Sequence, residues 1–291
     1  MRSAEFRAEQ QATSAIAAAF ALILASPGTA LAQSSPGALP APTYADLADL
    51  AGSATLVVKA KIRAQTALGP ERSPFLRAGW VRLFIEADTE ALLVGDAAIG
   101  ESLRYLVDMP LDAKGRAPRL GKQEVVVFAL PVTGKPGELQ LVTNEAQVAA
   151  GPAIEAQVRT ILSELAGPGA PPRITGVRDA FSVAGNLAGE SETQIFLQTD
   201  TDAPVSLSVL RRPGMAPEWG VSWTDIVDEA ARPPARDTLA WYRLACFLPP
   251  SLPADANLAP PGEARTRAAQ DYGLVIDQLG ICPRNLHPSD L

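Results

Sequence analysis

The strongest constraint on the fold is an alternation of aliphatic and charged residues that recurs through the first half of the chain. Over residues 55–64, Leu56, Val58, Ala60 and Ile62 fall on one face of an extended chain, and Val57, Lys59, Lys61 and Arg63 fall on the other. A period of two buries the first set and leaves the lysines and the arginine in water. The pattern returns as Val81, Leu83 and Ile85 against Trp80, Arg82, Phe84 and Glu86, and again as Leu103, Tyr105 and Val107 against Ser102, Arg104 and Asp108. Each stretch predicts a half-buried strand of an antiparallel sheet. Residues 125–130 (VVVFAL) are apolar on both faces, which suits a central strand, and Leu139, Leu141 and Val142 follow a turn between Gly134 and Gly137.

A helix is expected at each end of this run. Thr43 stands three residues before Asp46, with Tyr44, Leu47 and Leu50 making one apolar stripe, the signature of a short capped helix. Pro152 suits a first helical turn, Ile154, Val158, Ile161, Leu162 and Leu165 recur at helical spacing, and Gly167 with Pro168 ends the segment. Helix, five or six short strands and a closing helix is the order of a small OB-like Greek-key barrel, here assigned to residues 43–166. The stretches SATLVVKAKI, WVRLFIEADTEAL, KQEVVVFALPV and GELQLV resemble the TIMP or netrin-like version of that fold found in exported bacterial proteins. In the animal inhibitors of that family an amino-terminal cysteine binds a protease zinc. The barrel segment here contains no cysteine, so that mechanism carries over to no residue.

Residues 167–172 (GPGAPP) read as a linker to a second, α+β domain over residues 171–282. Strand patterns occupy residues 174–183, 192–199, 205–211 and 219–223, and residues 200–204 read as a hairpin turn. Beyond Trp223 the periodicity becomes helical. Asp237 can cap a nearly all-apolar helix through Leu239, Trp241, Tyr242, Leu244, Phe247 and Leu248, and Ala268, Tyr272, Val275, Ile276 and Leu279 make one stripe of a last helix. The expected fold class is therefore α+β: an antiparallel OB-like barrel flanked by helices, then a second antiparallel sheet with a helical pair.

The amino terminus points to export. Arg2 and Arg7 precede an apolar run over residues 15–25, and Ala30 and Ala32 frame an A-x-A cleavage site, so residues 1–32 read as a signal peptide. That run is eleven residues, whereas a membrane-spanning helix needs about 20. Residues 33–42 (QSSPGALPAP) read as a flexible lead and residues 283–291 as a tail. Cys246 and Cys282 are the only cysteines, and in an oxidising compartment they are most simply one disulfide stapling the helical pair. Two separate buried thiols are the alternative; the spacing is far from that of a C-x-x-C redox pair.

Composition excludes several functions. The formal net charge of −7 repels phosphate backbones and anionic lipids, which argues against a nucleic-acid partner and a peripheral membrane role. The one histidine, His287, lies in the tail, which removes Ser-His-Asp and Cys-His arrangements and the common zinc sites. Gly189-Glu190-Ser191-Glu192-Thr193 departs from G-x-S-x-G at its last position and reads as a turn between strands. Lys59 and Lys61 point outward, where a lysine keeps its proton and cannot serve a serine nucleophile. Asp200 with Asp202 lacks the further oxygen ligands of a calcium loop, and neither nucleotide-cradling glycine motif occurs, so no metal and no cofactor is expected.

Trp219, Val221 and Trp223 share one face of a strand and are either buried together or an exposed apolar stripe for a protein partner. The resulting expectation is an exported, periplasmic or secreted, non-catalytic binding or assembly protein of a Gram-negative envelope, with no integral membrane segment after signal cleavage. A carboxylate-based hydrolase of cell-wall or extracellular glycans is the first alternative, since two acids suffice for that chemistry. A secreted inhibitor-like module is the second.

Overall fold

The computed structural model describes residues 39–96, 99–224 and 231–286. The signal peptide, most of the lead and His287 lie outside the described residues. Among the described residues, four α-helices and two antiparallel sheets make a mixed α+β fold.

The first sheet contains β1 (Leu56–Ala67), β2 (Trp80–Val94), β3 (Ser102–Pro110), β4 (Glu124–Pro131), β5 (Leu139–Leu141) and β6 (Gln147–Ala149). Its order is β3-β2-β1-β4-β5, with β6 also paired to β4. The alternation sets the faces: Leu56, Val58, Ala60 and Ile62 are buried together with Leu83, Ile85, Leu103, Tyr105 and Val107. The strand β4 is central, with β1 on one side and β5 and β6 on the other, and Val125, Val126, Val127 and Phe128 are all buried, so both of its faces are covered. Three register shifts between β1 and β2 bend these long strands.

The ladder does not close into a barrel. Its outer strand β3 meets the residue just before β5 at an isolated parallel bridge between Arg104 and Glu138, where the Arg104 N–H donates to the Gly137 carbonyl at 2.7 Å. Gly137 is required there: its φ is +79°, and a Cβ would lie 2.6 Å from the Ser102 carbonyl oxygen. Asp108 departs from the sequence expectation. It occupies the outward set of β3 yet is buried, because Arg82 on β2 lies across it.

The helix α1 (Tyr44–Ser53) begins with the expected box: the Asp46 N–H donates to the Thr43 hydroxyl oxygen, and the Thr43 N–H donates to the Asp46 carboxylate. Pro152 opens α2 (Pro152–Ala166), which buries Val158, Ile161 and Leu162. The second sheet, ordered β10-β9-β8-β7, contains β7 (Ile174–Ala184), β8 (Ser191–Thr199), β9 (Val205–Arg211) and β10 (Glu218–Ser222). The helices α3 (Leu239–Ala245) and α4 (Glu263–Leu279) follow. Thr238, rather than Asp237, caps α3 by accepting from the Trp241 N–H, and Asp237 takes a φ of 58°. The helix α1 packs on α2 and α3, α3 on α4, and α4 on β7 and β8. Buried residues of both sheets belong to one continuous core.

Cys246, at the C-terminal end of α3, is bonded to Cys282, three residues past α4, with their Cα atoms 5.2 Å apart. Among the described residues no helix is long and apolar enough to cross a membrane.

Candidate functional site

A buried polar unit sits where α4 crosses the second sheet. Asp271 on α4 is fully buried, accepts from the hydroxyl of Thr193 on β8, and accepts from Nε of Arg211 on β9 at 2.6 Å. The pattern explains the convergence. Odd-numbered residues of β8 and β9 face the helix, so Thr193 and Arg211 occupy positions that Ile195, Leu197, Val205, Leu207 and Val209 fill with aliphatics further along the same strands. A charge at a core position is tolerated only when paired and hydrogen-bonded, and Asp271 supplies both.

Arg211 leads from this unit into a cleft of about 450 Å³, lined also by Gly189, Ser191, Glu263, Thr266, Arg267 and Gln270. The lining from α4 recurs at three- and four-residue spacing, one stripe of the helix's N-terminal half. Gly189 takes a φ of +85° in the β7–β8 turn, as a turn glycine should, so Ser191 opens a strand and is not a nucleophile elbow. Arg267 is the unusual member. Its Nε is buried and has no hydrogen-bond partner, and among the described residues no carboxylate pairs with it. The neighbouring Arg265 is engaged by backbone: it donates to the carbonyls of Asn257, Ala259 and Ala254 at 2.7, 3.0 and 2.6 Å. Those bonds hold the connection whose Ala256 and Leu258 pair with Ala180 and cover the β7 edge.

A second acidic cluster lies on the first sheet. Arg82 grips Asp108 with two bonds of 2.7 and 2.8 Å, and Arg77, stacked over the Trp80 ring at 3.8 Å, pairs with Glu145. Burial pushes the Glu145 carboxyl above its ordinary value, and the Asp108 charge adds to the rise while Arg77 opposes it. Its second oxygen is buried with no partner. Both carboxylates are enclosed, each 4% exposed, so neither faces a cleft.

The sequence-derived candidates are dispersed. Trp219 and Val221 are buried under the helical layer, and the Trp219 indole N–H donates to Gln278 on α4 at 2.8 Å; Trp223 is half-buried against the core. Gly220 between them carries the closest approach in the second sheet, since a Cβ there would lie 2.3 Å from the Ala231 backbone. Lys59 is ringed by Glu90, Glu124 and Glu155 at 3.5, 3.0 and 3.0 Å, and hydrogen bonds to Glu124 and Glu155 hold its ammonium well above the usual lysine range. Lys61 is exposed, and Asp200 accepts from the Arg173 N–H at 3.2 Å in its hairpin turn.

Sequence reading missed the cleft because its members come from three distant segments. The one local signal is an arginine pair, Arg265 and Arg267, in the first turns of α4, the positive end of a helix, where acids are favoured. Among the described residues no group of three or more His, Cys, Asp or Glu could hold a metal ion. No protein-family model matches the chain, and no curated protein matches it.

Proposed function

We propose that this is an exported, non-catalytic binding protein of the cell envelope, periplasmic or secreted, whose ligand contact is the cleft beside α4. The observation that carries this reading is the way the chain spends its buried acids. Asp46, Asp108 and Asp271 are each engaged by arginines, hydroxyls or backbone N–H groups, and Glu145 is paired with Arg77 through one oxygen and enclosed at the other, so these acids tie elements together instead of facing a cleft. The cleft itself is lined by two arginines, polar side chains and Glu263, with Arg211 held from behind by Asp271. The Cys246–Cys282 bond and the signal-like amino terminus support the compartment.

Our reading of the first sheet as OB-like rests on its strand order and on the parallel bridge between Arg104 and Glu138, the contact through which such a barrel would close. A photo-cross-linking residue placed at Gln270, on the cleft, should give a discrete adduct in intact cells. The same residue at the exposed Lys114, in the β3–β4 connection, should give none. Equal labelling at both positions would sink the reading.

The hydrolase alternative draws on Glu145, a carboxyl whose proton affinity is raised by burial, with the Asp108 carboxylate adding to the rise. Release of soluble fragments from isolated cell walls by the wild-type chain, abolished by Glu145→Gln, would replace binding with that chemistry.

A further inference from the structure

We infer that the cleft beside α4 recognises a hydroxylated anion, a sugar acid or sugar phosphate unit of a larger molecule, with Arg267 as its charge anchor. The inference rests on the binding role proposed for the cleft and goes beyond it in naming the ligand's chemistry.

Four features converge. The first is charge: Asp271 neutralises Arg211 from behind, so Arg267 is the cation of the lining left without an acid partner, while Glu263 stands exposed among the residues of the cleft. The second is the buried Nε of Arg267, a donor with no acceptor. Among the described residues no carboxylate pairs with its terminal nitrogens either, and a ligand carboxylate or phosphate oxygen there would form a charge-assisted pair.

The third is pre-organisation. Asp271 holds Arg211 at 2.6 Å and fixes its outward edge before any ligand arrives. The fourth is the neutral lining. Ser191 and Gln270 offer hydroxyl and amide groups around the arginines, Thr266, whose hydroxyl donates to the Gly262 carbonyl, offers an oxygen, and Glu263 offers an acceptor, a set suited to sugar hydroxyls and poorly suited to an apolar acid. The cleft volume of about 450 Å³ falls within the range of small-ligand sites, roughly 300–1,000 Å³.

The test uses the exported chain with its disulfide intact, titrated at low ionic strength by calorimetry with glucuronate, glucose 6-phosphate and glucose. At least one anion should bind saturably and glucose should not; whichever anion binds identifies a carboxylate or a phosphate as the natural group. Arg267→Ala should weaken that binding about tenfold or more, the loss of one charge-assisted interaction. Glu263→Gln should tighten it about two- to threefold by removing a repelling charge, a gain that misfolding cannot mimic. Failure of both anions to bind, or unchanged affinity in Arg267→Ala, overturns the inference. If the Gln270 adduct still forms in cells under that outcome, the binding role stands and the ligand class is wrong.

Discussion

Glu145 shows how one residue records the cost of its surroundings. Its carboxyl is buried among strands, one oxygen held by Arg77 and the other without a partner, and desolvation raises its proton affinity above the ordinary 4.5. A group whose folded value is raised stabilises the protein most below its unfolded value and loses that contribution as pH climbs through the folded one. Wild type should therefore lose stability relative to Glu145→Gln as pH rises from about 4 to 7. Urea unfolding of both proteins across that range measures the difference. A wild-type advantage growing with pH would mean that Arg77 outweighs burial. Neither the burial nor the arginine was legible in the sequence, because Thr143–Gln147 pattern information ends at a turn and Arg77 lies 68 residues away.

At the scale of elements, the α3–α4 pair depends on a covalent staple. Cys246 and Cys282 close a segment separated by 36 positions, and constraint of the unfolded chain by such a loop is worth about 4 kcal/mol. Replacing both cysteines by serine should lower unfolding free energy by roughly that amount in denaturant titration. Protein taken from cells should resist alkylation until reduced; free thiols would remove both the staple and the argument for an oxidising compartment. The packing around the staple was partly readable. The stripe of Ala268, Tyr272, Val275 and Leu279 is buried as periodicity requires, and Trp241 donates its indole N–H to the Leu279 carbonyl at 2.9 Å. The fate of Trp219 was not: period two places it on a face with Val221, but only the position of α4 decides which side is covered.

Across the whole molecule, the two ends of the described chain meet at one carboxylate. Asp46 accepts from the N–H groups of Thr43, Asn285 and Leu286, at 2.8, 3.0 and 3.1 Å, and is itself buried. Arg284 adds an ion pair to Asp49 at 2.6 Å, and the Tyr242 hydroxyl donates to the same carboxylate at 2.5 Å. Residues 283–286, expected to begin a tail, are thus a clasp that fastens the C-terminal strap to α1. Asp46→Ala should cost about 3–5 kcal/mol, the penalty for stranding several buried donors. Hydrogen exchange should accelerate together at Thr43, Asn285 and Leu286. Acceleration confined to α1 would show that the clasp is not shared.

The sequence by itself determined the local matters: which stretches are strands, which faces they bury, where Pro152 starts a helix, and which two cysteines were there to be bonded. These follow from periods of two and 3.6 residues and from turn and cap chemistry, all of which act within a few positions. Tertiary structure alone decided that β4 would sit between β1 and the β5–β6 edge, that Asp108 would be buried under Arg82, and that Thr193, Arg211 and Asp271 would meet beside an arginine without an acid. The physical reason is separation: Thr193 and Asp271 lie 78 positions apart, and no local propensity carries information across such a distance. What joins them is the burial of one apolar face against another, and the polar groups caught in that closure take whatever partners it provides.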